Sequence, residues 1–135
     1  MKNCWKSVLV ALTLLVSAWG CGKESVDIDQ LTGSWYEVYP ENFAADGGVA
    51  WVFGVDNTLI YCISDVFAGD NNHYFTYRIS NDGRQLTVYS ASGDRYEAQF
   101  GIDQCSKRRL SLKRLDRNPE SDYYSLWHET YTFQK

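Results

Sequence analysis

The sequence predicts an all-β domain built as one eight-stranded antiparallel up-and-down barrel. Three observations predict it. From Leu31 onward apolar residues recur with period two, and no window of a dozen residues holds them at i, i+3, i+4 and i+7. The apolar runs are rich in Tyr, Trp, Phe, Val, Ile and Thr, side chains that suit a pleated, half-buried surface. The short breaks between them carry Gly, Asn, Asp and Ser, which tolerate positive φ or cap their own backbone.

The chain has 135 residues, one domain's worth, and its first segment reads as a leader. Lys2 and Lys6 precede an uncharged, mostly apolar run from Ser7 to Ala18. At 12 residues that run falls short of the roughly 20 a spanning helix needs, so it reads as a signal h-region. Ser17-Ala18-Trp19-Gly20-Cys21 follows and resembles the lipobox of bacterial lipoproteins, with Ala18 where Leu is usual and a bulky Trp19. The resemblance implies cleavage before Cys21, a lipid on that cysteine, and a place in the cell envelope, on the outer membrane. Ordinary cleavage, giving a soluble secreted protein, is the alternative. Residues 21–30 then form a short polar tether, and the barrel domain runs over 31–135.

Removal of residues 1–20 leaves 115 and takes away Lys2 and Lys6, which moves the formal net charge from −4 to −6. An acidic chain argues against nucleic acid as a partner, because phosphate binding needs a basic surface. A domain of this size buries roughly 60–70% of its unfolded surface, enough for one core. With Cys4 in the leader and Cys21 lipidated, Cys62 and Cys105 remain in an oxidising compartment. Paired, they would close a loop worth about 4 kcal/mol in chain entropy. Unpaired, they are two buried thiols. No Cys or His shares a ligand spacing such as C-x-x-C, so no metal is expected.

Strands are predicted over 34–39, 49–55, 58–64, 73–80, 85–90, 95–102, 109–115 and 125–134. Asp46-Gly47-Gly48, Asp56-Asn57, Gly69-Asp70-Asn71-Asn72, Asn81-Asp82-Gly83 and Ser92-Gly93-Asp94 separate the first of these, and the stretch from Asn118 to Asp122 closes the last hairpin. Such short connections favour antiparallel neighbours. Alternation assigns the faces. Trp51, Phe53 and Val55 share one, as do Leu59, Tyr61 and Ile63; Phe75, Tyr77 and Ile79; Leu86 and Val88; and Tyr96, Ala98, Phe100 and Ile102. Closing into a barrel buries these faces and removes the edges. A two-sheet sandwich with Greek-key links is the second choice.

Leu31-x-Gly33-x-Trp35, at the start of the first strand, resembles the Gly-x-Trp motif of lipocalins. The whole pattern resembles the lipocalin-like domain of small lipoproteins from Gram-negative gut bacteria. The other matching stretches are Trp51-Val52-Phe53 before Asp56-Asn57, Tyr77-Arg78-Ile79 and Tyr131-Thr132-Phe133, so the likeness covers 31–135. The resemblance implies that Trp35 fills the closed end of the barrel. Lipocalins also set an Arg from late in the chain across this Trp, and no Arg follows Tyr131 here.

Chemistry-bearing patterns are few. There is no Gly-x-Ser-x-Gly elbow, and the Gly-rich turns lack a following helix, so they are not phosphate cradles. His73 and His128 fall in predicted strands, with His128 expected to face water. No catalytic residue and no cofactor is expected, and the chain is not expected to be an enzyme. Glu37 is in register with Trp35, Glu129 with Trp127, Tyr131 and Phe133, and Arg114 with Leu110 and Leu112. Two inward carboxylates could meet, but an inward acid more often meets a cation, which favours an Arg114–Glu129 pair in the lumen. The lumen candidates are therefore Trp35, Glu37, Trp51, Phe53, Tyr61, Tyr77, Tyr96, Phe100, Arg114, Trp127, Glu129 and Tyr131. Such aromatics can line a cavity, and the expected function is an anchored binding protein for a small apolar or aromatic-compatible ligand; the alternative is that they fill the barrel solid. A filled barrel would act through loops such as 65–72 on a protein partner.

Overall fold

The computed structural model describes residues 26–38, 47–65 and 69–135. The leader, Cys21, the start of the tether, Tyr39 and the centre of the 65–72 loop lie outside the described residues. The described chain opens with one helical turn, α1 (Ile28–Leu31). Eight strands follow: β1 (Gly33–Glu37), β2 (Gly47–Phe53), β3 (Thr58–Asp65), β4 (Gly69–Ile79), β5 (Gln85–Ser90), β6 (Tyr96–Cys105), β7 (Arg109–Arg117) and β8 (Thr130–Gln134). Each strand pairs antiparallel with the next, and β8 returns to β1 through Tyr36–Gln134 and Glu37–Phe133. One sheet closed on itself leaves no place for the sandwich arrangement.

The register defines two ends. The floor gathers the start of β1, the β2–β3, β4–β5 and β6–β7 turns, and Lys135. The mouth gathers the opposite strand ends and the long β7–β8 connection. Gly33 opens β1 at φ +120°, where an L side chain is strained. Two residues on, Trp35 is fully buried and donates its indole N–H to the Leu31 carbonyl at 2.7 Å. The cation across its ring is Lys135, with Nζ 4.8 Å from the centroid.

The expected tether is folded in its second half. Gln30 accepts the Asp27 N–H at 2.9 Å, Val26 donates to Gly83 O at 2.9 Å, and Val26 and Leu31 are buried. The turn is too short to show helical periodicity, and Asp27, Asp29, Gln30 and Thr32 in and around it are polar, so the segment reads as linker in sequence.

Three register shifts change the faces that alternation assigns. Across β5–β6, Val88 faces Ala98 but Tyr89 faces Tyr96, which makes Glu97 an extra residue. Across β6–β7, Gln99 faces Asp116 but Phe100 faces Arg114, and Ile102 faces Leu112 while Gln104 faces Ser111. Leu115 and Asp103 are the extra residues there. The consequences are specific. Tyr96 lies on the outer wall, where its hydroxyl donates to Asp116 at 3.1 Å, and it does not line the lumen. Cys105 turns inward against the core opposite Leu110, while Cys62 is on the outer side of β3 beside Ala50 and Asn72. With β4 and β5 between them and opposite sides of the wall to occupy, the two thiols are not joined.

Candidate functional site

The barrel interior is packed with aromatic rings around Trp51. Phe53, Tyr61, Phe100, Trp127, Tyr131 and Phe133 all lie within 6.0 Å of it, centroid to centroid. Phe53 meets Tyr77 edge-on at 5.0 Å toward the floor, and the Tyr77 hydroxyl donates to Gly54 O at 2.8 Å. Of the lumen candidates, Trp35, Trp51, Phe53, Tyr61, Tyr77, Phe100, Trp127 and Tyr131 are all buried together. They form one core.

The mouth is closed by the β7–β8 connection. The sequence predicts a strand over 125–134, but residues Tyr124–Leu126 form a 3₁₀ turn and β8 begins at Thr130. Trp127 therefore enters the barrel from a loop, where its ring packs on Phe75 at 4.9 Å and on Tyr61 at 5.9 Å. The connection is tied down along its length. Asn118 donates through its backbone to Glu97 O at 2.8 Å and through its side chain to Tyr96 O at 2.9 Å. The Ser121 hydroxyl donates to the buried Glu97 carboxylate, and the Arg95 guanidinium to Glu120 O. Tyr123 covers Phe75 at 5.1 Å and His73 at 5.2 Å.

Two arginines hold the plug. Arg114 donates to the Trp127 carbonyl at 2.7 Å, and Arg117 donates to it at 3.3 Å while stacking on Tyr124 at 3.7 Å. Three residues apart on a regular strand, these side chains would face opposite ways. The extra residue at Leu115 puts both on the inner face. Sequence alternation found Arg114 and missed Arg117 for this reason.

The expected Arg114–Glu129 pair is made in backbone only: Arg114 N–H donates to Glu129 O at 2.7 Å. The Glu129 side chain is exposed because regular pairing has not begun there, so it neither lines the lumen nor meets Glu37. Glu37 is half-buried at the mouth and close enough to raise the Tyr61 phenol's pKa electrostatically. Burial is the larger cause, and Tyr131 acts in the same direction. The Trp51 indole opposes them, although no acceptor completes a hydrogen bond with its N–H. Burial also pushes Tyr77 up to about 12. His128 is exposed, and its backbone N–H donates to the Tyr131 hydroxyl, which in turn donates to Leu126 O, both at 2.9 Å.

The indoles of Trp51 and Trp127 are buried with no partner for their N–H groups among the described residues. Outside the core, an open cleft of about 270 Å³ lies under the floor between α1 and the β4–β5 turn, lined by Val26, Ile28, Asn57, Tyr77, Ser80 and Gly83 among others. Among the described residues no three of His, Cys, Asp or Glu come together as metal ligands.

No family model matches the chain, and no curated protein matches it. Among solved structures it is similar to the NMR structure of the protein from Bacteroides uniformis ATCC 8492, at 19% identity. The match covers 84% of this chain and 94% of that one with a TM-score of 0.56. At that identity the likeness shows the fold: a closed eight-stranded antiparallel β-barrel.

Proposed function

We propose that this is a lipocalin-like lipoprotein of the cell envelope, anchored to the outer membrane through lipid on Cys21, whose filled barrel is a scaffold. It acts through its outer surface and loops on a partner, without catalysis. The observation that carries the scaffold reading is Trp51, fully buried amid six other rings in what would be the ligand chamber. Interiors packed this way have few voids larger than a water molecule. Lipidation is supported by the leader and the approach to Cys21.

A second reading keeps the small apolar or aromatic-compatible ligand in the lumen. It is favoured by the unpartnered indole N–H groups of Trp51 and Trp127, which an acceptor on a ligand would satisfy. Native mass spectrometry of the protein from its own source tests the choice. The scaffold reading predicts the acylated chain alone, and a retained small molecule would overturn it. Cys21→Ser should release the protein from membranes, whereas retention through a salt wash would contradict the anchor.

A further inference from the structure

The outer wall of the barrel has two unlike halves. Ladder pairing puts Ser34, Val52, Ile60 and Tyr74 in one row across β1–β4, and Tyr36, Ala50, Cys62 and Asn72 in the next. Tyr36 and Tyr74 are 56% and 60% exposed, and Val55, at the tip of the β2–β3 turn, is 72% exposed. Across β5–β8 the outward positions are mainly polar, among them Gln85, Thr87, Gln99, Ser111, Lys113 and Thr132, with Tyr89, Tyr96 and the 51% exposed Leu115 as apolar exceptions. The first half is thus the richer in exposed aromatic and aliphatic side chains, and the second is mainly polar.

The anchor decides what the apolar half meets. Val26 is fixed to the β4–β5 turn by its bond to Gly83, and Cys21 precedes it by five residues. Fully extended, that link reaches at most about 18 Å. The same distance up β4 from Ile79 reaches about as far as Tyr74. A lipid on Cys21 would thus keep the wall beside the tether's exit within reach of the bilayer, and the exit lies at the seam between the β1–β4 and β5–β8 halves. Tyrosine suits the headgroup level, with an apolar ring and a wet hydroxyl.

We infer that the β1–β4 outer face, through Tyr36, Val52, Ile60, Tyr74 and Val55, rests on the lipid surface that holds the Cys21 anchor. The inference depends on the lipidation reading above. In this pose the polar β5–β8 half stays free for a partner.

The test uses the full lipidated chain with Cys62→Ser and Cys105→Ser, carrying an environment-sensitive fluorophore at Asn72→Cys or at Lys113→Cys. The protein is reconstituted in phosphatidylethanolamine–phosphatidylglycerol vesicles containing lipid with a nitroxide at headgroup depth. Quenching should be several-fold stronger at position 72 than at 113, and Val52→Glu with Ile60→Glu should remove the difference. Equal quenching on a chain whose intact mass shows acylated Cys21 overturns the inference alone. Protection of position 72 from aqueous iodide without quenching by the lipid nitroxide also overturns it, because a second copy or another protein then covers the face. An unacylated Cys21 overturns the anchor and the inference together.

Discussion

At the floor Trp35 is held by its immediate neighbours, while at the mouth Trp127 arrives at the end of a long connection. The two rings are equally buried, at 0% and 1% exposure. Trp35 has an acceptor four residues back and a cation over its face; Trp127 has no acceptor for its N–H and is fixed by two guanidinium groups on its carbonyl. The floor is thus satisfied by local chain geometry, and the mouth is closed by packing and charge-assisted hydrogen bonds that leave the Trp127 N–H unmet. A buried donor without a partner costs roughly 1–3 kcal/mol, so the mouth holds the less stable closure.

The largest predicted loss is at Trp51, between the two ends. Trp51→Ala removes the ring around which six others pack and should cost the upper part of about 3–5 kcal/mol in urea unfolding. A loss near 1 kcal/mol would mean that the core collapses around the site or was never tight. Next come the phenylalanine swaps. Trp35→Phe leaves the Leu31 carbonyl unpaired, whereas Trp127→Phe removes a donor that has no partner. The first should therefore be more costly than the second by about 1–2 kcal/mol, and equal costs would erase the contrast between the ends. Arg114→Ala should cost about 1 kcal/mol, because Arg117 still reaches the Trp127 carbonyl, and the double variant should lose more than the sum of the two single ones.

The smallest effect is on alkaline stability. Tyr61 and Tyr77 keep their protons in the folded state above the ordinary tyrosine range. As pH rises past about 10 the unfolded chain loses these protons first, so stability is full below that pH and falls toward pH 12. Tm measured across this window should drop, and Tyr61→Phe should flatten the fall. An unchanged slope in that variant would place the Tyr61 hydroxyl in contact with water.

Most of the barrel was readable because turn chemistry and alternation report the same strands. Eight strands and their order follow from residues such as Asn57 and Gly83 and from runs such as Leu59, Tyr61 and Ile63, while the place of Trp35 at one end was implied by the Gly-x-Trp resemblance. The bulges were not readable. Glu97, Asp103 and Leu115 each add one residue to a strand and leave no mark in composition, yet each reverses the faces beyond it. Tyr96 is misplaced by alternation, and Arg117 missed, for that reason. Trp127 was expected inside, correctly, but as a strand residue. Its true position depends on the 3₁₀ turn before it, where tertiary packing outweighs the alternation it happens to share with Tyr131 and Phe133.

Whether the barrel is filled to its mouth is tested most directly by unfolding Trp35→Ala and Trp127→Ala side by side in denaturant. Large losses are expected at both, each about 3–5 kcal/mol, because both rings are fully packed core. A full loss at Trp35 with no more than about 1 kcal/mol at Trp127 would show that Trp127 covers open space, and it would contradict the filled barrel.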